Sequence, residues 1–104
     1  MRIVALEEVK EYLGVSGEEN DALINGMIDV ACAYVDDTTG TAWERRGADA
    51  LYPVARQAVF VKVWLMFYTA RDNDLNAASF VRKNLTEMIQ MLQIQVLADK
   101  KGED

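Results

Sequence analysis

The sequence predicts an all-α fold, one small bundle of about four helices. Apolar residues recur at three- and four-residue spacings in separate segments, and Gly14, Gly40 and Pro53 stand at the segment boundaries. One Pro and six Gly are too few for an all-β chain built on many tight turns. A length of 104 residues gives one domain, 1–104, with a core of its own. Hydrophobic residues at 51% and charged residues at 27% are the balance of a globular chain, not a disordered one.

The first helix is expected over about 6–13. Leu6, Val9 and Leu13 form a stripe with Tyr12 beside it, while Glu7, Glu8, Lys10 and Glu11 take the opposite face. Gly14 supplies the stop, because a residue after the last turn often needs the left-handed region. Two turns are unstable alone, so this helix must dock.

The second helix is expected over about 20–38. Ser16-Gly17-Glu18-Glu19 has the spacing of a capping box, with Asn20 and Asp21 as rival caps. Leu23, Ile24, Met27, Ile28, Ala31, Tyr34 and Val35 then recur at helical spacing, and Gly40 ends the run. Residues 41–52 read as a long loop, which in a compact domain is either functional or carries short structure of its own.

Pro53 suits the first turn of a third helix, about 53–71. This segment is apolar on nearly every side, from Val54 through Phe60 and Trp64 to Tyr68. Its β-branched residues would also suit a buried strand, but strands rarely run past ten residues. A helix apolar all round must be covered all round, by its own chain or by a neighbouring subunit.

The last helix is expected over about 78–99, after the polar break Asp72-Asn73-Asp74. Val81, Leu85, Met88, Ile89, Leu92 and Val96 make one stripe, and Phe80, Met91, Ile94 and Leu97 make a second. One stripe docks a helix on a monomer core. The second is a candidate contact for another copy, although a wide face packed within the chain is the competing reading.

Charge narrows the function. The net charge is −6, with 11 acidic and 4 basic residues in 1–50 against 6 and 7 in 51–104. An acidic half repels phosphates unless a basic patch is set apart, and Arg45-Arg46, Arg82-Lys83 and Lys100-Lys101 read as solvated surface pairs. The second helix has no Lys or Arg, so a helix-turn-helix reader of base edges is not expected.

Chemistry is equally sparse. There is no His, hence no usual general base and no commonest metal ligand. The single Cys32 lies on an apolar helix face and reads as a buried thiol. No phosphate-binding, dinucleotide or nucleophile-elbow motif occurs, so no catalytic residue, cofactor or metal is expected, and the chain reads as no enzyme. The opening residues turn acidic before a signal peptide could form, and the most apolar stretch, 58–68, is interrupted by Lys62 and far short of a membrane span. A soluble protein without membrane contact is expected.

The ordered pieces resemble a family. Leu6-Glu7-Glu8-Val9-Lys10-Glu11-Tyr12-Leu13-Gly14-Val15, then Glu18 to Ile24, looks like the opening of the head–tail connector proteins of tailed phages and prophages. Ile28 to Val35 followed by Thr39-Gly40 resembles the family's second helix, and Pro53 to Tyr68-Thr69-Ala70-Arg71-Asp72 its third. The likeness covers roughly residues 3–75. Two departures stand out: Ala5 where a Ser or Thr cap is typical, and a segment Phe80–Lys101 longer and more apolar than the usual ending.

The resemblance implies a structural virion protein that completes the DNA-filled head. Such subunits form a homo-oligomeric ring of about a dozen copies below the portal and join it to tail or stopper proteins. DNA would pass through without sequence-specific binding, and the protein would sit in the virion, or in the bacterial host cytoplasm during assembly. Candidate interface residues are Trp43, Arg45 and Arg46 in the loop with Phe80, Met91, Ile94 and Leu97 on the last helix. Trp is a frequent interface anchor, yet Trp43 tucked into its own domain is an equally open reading. A reading from a different class is a small acidic helical regulator or adaptor acting as a dimer on a protein partner.

Overall fold

Four α-helices and one short 3-10 turn make up the computed structural model, which describes residues 2–69 and 75–102. The helices are α1 (Leu6–Leu13), α2 (Asp21–Thr39), α3 (Tyr52–Thr69) and α4 (Leu75–Gly102), with the 3-10 turn at Trp43–Arg45. The all-α bundle expected from periodicity is the fold observed. Its boundaries differ by one residue at each end of α2 and at the start of α3, and by three at each end of α4. The expected end of α3 at 70–71 and the polar break at 72–74 lie outside the described residues.

At the start of α1, Ala5 has no side chain with which to cap. Glu8 compensates by reaching back, its Oε1 accepting a hydrogen bond from the Ala5 N–H at 2.9 Å. Gly14 ends the helix at φ 72°, and its N–H returns to the carbonyls of Glu11 and Lys10.

The capping box expected at Ser16–Glu19 does not form. Gly17 adopts φ 86°, a left-handed conformation that no helical turn accommodates, so the segment is a turn and α2 begins at Asp21 behind Asn20. Lys10 holds that turn. Its ammonium donates to the Gly17 carbonyl at 2.5 Å and lies 2.9 Å from Asp21 Oδ1. Lys10 therefore belongs to the buried side of the α1–α2 corner and not to the solvated face that spacing assigns it.

Three helices, α2, α3 and α4, pack pairwise around the core, and α1 closes one end against α2 and α3. The core residues of α2 are Ile24, Ile28, Ala31, Cys32 and Val35. Leu23, adjacent to that stripe in sequence, lies outside it and is exposed.

The third helix is the central element. Ala55, Ala58, Val59, Val61, Val63, Leu65 and Phe67 are buried, and Phe60, Trp64, Met66 and Tyr68 are partly covered against the same core. Its apolar surplus is thus absorbed within the chain. Tyr12 stacks on Phe60 with ring centroids 5.2 Å apart, the Lys62 ammonium sits 4.3 Å from the Tyr34 ring centre, and the Tyr68 hydroxyl donates to the Leu13 carbonyl.

Candidate assembly surface

Residues 41–52 are anchored along their length. The Trp43 N–H donates to Asp36 Oδ1 at 3.2 Å, and the indole Nε1 donates to Thr39 Oγ1 at 2.8 Å. Two further turns follow, with Asp49 N–H bonded to the Arg46 carbonyl and Tyr52 N–H to the Asp49 carbonyl. Asp49 Oδ1 also accepts from the Leu51 N–H at 2.8 Å. The segment is a chain of turns, the second of the two alternatives for a loop of its length.

This geometry corrects the place of Trp43 among the candidates. Its side chain is 0% exposed, packed into the core of its own protomer, and offers no surface to a partner. The cause is local: Gly40 turns the chain back after α2, so the indole falls beside Thr39 and finds an acceptor there. Arg46 stacks over the indole at 5.4 Å and pairs with Asp99 of α4 and with Asp49, which ties the loop to the last helix. Arg45 alone of the three loop candidates is exposed.

The fourth helix divides into two faces. At about 100° per residue, Leu85, Ile89, Leu92 and Val96 fall on one side, all buried, with Val81 and Met88 at its margin. Phe80, Met91, Ile94 and Leu97 fall opposite, 67%, 49%, 68% and 59% exposed. The two stripes in the sequence are therefore two separate surfaces. The helix is held in this orientation by the inner stripe, by the Arg46–Asp99 pair and by Gln93, whose Nε2 donates to the Thr38 carbonyl at 2.7 Å. Rotating it to hide Ile94 would expose Leu92 and break both polar links.

Two surface elements are missing from the set read from the sequence. Tyr12, 41% exposed, lines a groove together with Val61, Met88 and Met91 and extends the apolar surface toward α1. Leu23 and Val30 lie uncovered on the outer side of α2. Their seven-residue separation was the available signal, since it puts both on one helix face away from Ile24 and Ile28.

Charge around these surfaces is uneven. The α2 acids Asp29 and Asp36 sit in different settings. Arg2, hydrogen-bonded at 2.8 Å, holds the Asp29 carboxyl below the usual range, whereas burial pushes Asp36 up despite the Trp43 N–H. Burial also raises the Cys32 thiol. Among the described residues no group of three or more His, Cys, Asp or Glu side chains could hold a metal, and no helix is long and apolar enough to cross a membrane.

A compact helical protomer that leaves a row of large apolar side chains uncovered on a rigid helix is the form of an assembly subunit. The family model described as phage gp6-like head-tail connector protein matches residues 3–95, nearly the whole chain, and the chain belongs to that family. The match runs through most of α4, so the long apolar helix that looked like a departure lies largely inside the family's span. No curated protein and no solved structure matches the chain. The family is one of structural phage proteins, which supports a phage connector role and favours that reading over a small regulator.

Proposed function

We propose that the protein is a head–tail connector subunit that assembles as a closed homo-oligomeric ring below the portal, completes the filled head and receives tail or stopper proteins. The observation that carries this reading is the outer face of α4, where Phe80, Met91, Ile94 and Leu97 stay exposed while the opposite side of the same helix is buried. A ring subunit uses two different surfaces, one for each neighbour, and so needs apolar area beyond its own core. Arg45, exposed within the tethered loop, supports the reading as a polar group free to set the orientation of a neighbour.

The acidic balance supports the passage of DNA. Glu7, Glu11, Glu18 and Glu19 are exposed at one end of the protomer, and a net −6 on each copy accumulates around a ring. Phosphates meeting that surface are repelled, so DNA slides through without sequence-specific contacts. Assembly would take place in the bacterial host cytoplasm and leave the subunit in the virion.

Native mass spectrometry and negative-stain microscopy of the purified chain, alone and mixed with its portal, test the reading. Closed rings in solution, or rings forming on the portal, are expected. A chain that stays single at high concentration and also fails to load on the portal would falsify it.

A further inference from the structure

The cations that fasten this fold each find a carboxylate: Arg2 pairs with Asp29, Lys10 with Asp21, Arg46 with Asp49 and Asp99, and Arg56 with Glu8. Lys62 and Arg82 have no such partner among the described residues, in a chain with 17 acidic side chains to choose from. Yet these two meet. Both line a cleft of about 290 Å³ between α2, α3 and α4, and no acid lines it with them. Lys62, Leu65 and Met66 form the α3 wall, and Arg82, Leu85 and Thr86 the α4 wall, each set spaced i, i+3 and i+4. Tyr34 of α2 closes the third side.

The cleft is built to hold charge in place. Lys62 is half-buried in the most apolar helix of the chain, where an ammonium is costly unless something compensates. The Tyr34 ring, 4.3 Å away, compensates in part and fixes the head group. Leu65, Met66 and Leu85 hold water back, which strengthens any ion pair formed between them. Two cations brought to one cleft repel each other until an anion enters. In the sequence, Arg82 and Lys83 read as one solvated pair; the fold divides them, since Arg82 lines the cleft and Lys83 does not.

We propose that this cleft is a carboxylate site that takes one acidic side chain of a partner polypeptide. The planar fork of Arg82 matches the two oxygens of a carboxylate, and Lys62 supplies a second positive charge. The methylene stem of a glutamate lies against the three apolar walls. Nucleic acid fits worse, because a duplex laid over the cleft also meets Asp37 and Glu87, exposed on the adjoining turns of α2 and α4. The site stands whether or not copies of the chain close into a ring.

Titration of the full-length chain, followed by the NMR shifts of its backbone amides, tests the site. The probe is the end-blocked peptide Ala-Leu-Glu-Leu-Ala, and the same peptide with Gln for Glu is its neutral control. Saturable shifts are expected at the cleft residues, with the Gln peptide weaker by about tenfold or more. Lys62→Gln combined with Arg82→Gln should weaken the Glu peptide by a similar factor, of about tenfold. Arg82 is exposed, so Arg82→Gln alone keeps the fold and should still weaken binding by about threefold. Arg45→Gln combined with Lys83→Gln removes as much charge outside the cleft and should change nothing. Shifts scattered over Arg45, Lys83 and Lys100, or equal in the cleft variants, would overturn the proposal. So would a short DNA duplex that moves the cleft amides at lower concentration than the peptide.

Discussion

Thr39 and Trp43 form a buried relay in which the indole Nε1 donates to the Thr39 hydroxyl at 2.8 Å and that hydroxyl donates to the Val35 carbonyl at 2.6 Å. One side chain thereby satisfies a buried donor and fastens the post-helical loop to α2. Thr39→Val keeps the shape and leaves the indole N–H without an acceptor. It should cost about 1–3 kcal/mol in urea unfolding. Trp43→Phe added to Thr39→Val should cost less than the sum of the two single changes, because the stranded donor is gone.

The corner between α1 and α2 depends on backbone that few residues adopt. Gly14 sits at φ 72° with open space where a side chain would go, so conformation alone decides the outcome there. Gly14→Ala is expected to destabilise by about 1–2 kcal/mol through the left-handed penalty. Gly14→Asn, which tolerates that region better, should recover part of the loss in the same thermal melts.

Two leucines on α4 separate folding from the proposed assembly. Leu92 is fully buried and Leu97 is open, five residues along the same helix. Leu92→Ala should lower the stability of the dissociated protomer by about 2–5 kcal/mol. Leu97→Ala should leave it within about 0.5 kcal/mol. Assembly, followed by sedimentation velocity, should respond to the second change as well.

Acid should loosen the fold, with one group opposing the trend. The Arg56 guanidinium, then the Ala5 N–H, hold the Glu8 carboxyl below its usual range, and Arg2 does the same for Asp29. The unfolded chain takes up those protons more readily, so their contribution is complete above the ordinary carboxylate range and fades as pH falls through the depressed folded values. Asp36 runs the other way, since burial makes the folded chain hold its proton more tightly. Urea midpoints should therefore fall between roughly pH 5 and pH 3. Glu8→Gln should cost about 0.2–1 kcal/mol at neutral pH, a value discounted for the solvent around the pair, and nothing once Glu8 is protonated.

The helices were legible because their punctuation and their periodicity agree. Gly14, Gly40 and Pro53 mark the ends, and the two stripes of α4 separate cleanly on a helix. Less legible were features set by reach across the fold. Lys10 looks like a solvated residue until its chain is seen to extend to the Gly17 carbonyl. Leu23 and Ile24 are both apolar neighbours, and only the seven-residue separation of Leu23 from Val30 tells the outward one from the inward one. Trp43 beside Arg45 and Arg46 has the composition of a contact anchor, and only the reversal at Gly40 sends it inward. The pairing of Arg46 with Asp99 spans a separation that no local pattern encodes.

The tethering of residues 41–52 has a bearing on how copies meet. With Trp43 sunk, Arg46 clasped by Asp99 and Asp49 closing the next turn, this stretch has already surrendered its backbone freedom in the lone protomer. In the proposed assembly a neighbour arriving beside Arg45 would encounter a finished relief, and the entropy of freezing a dozen residues would be absent from the association step. If the proposed ring forms, its heat-capacity change should then scale with the side-chain area covered and carry no folding component.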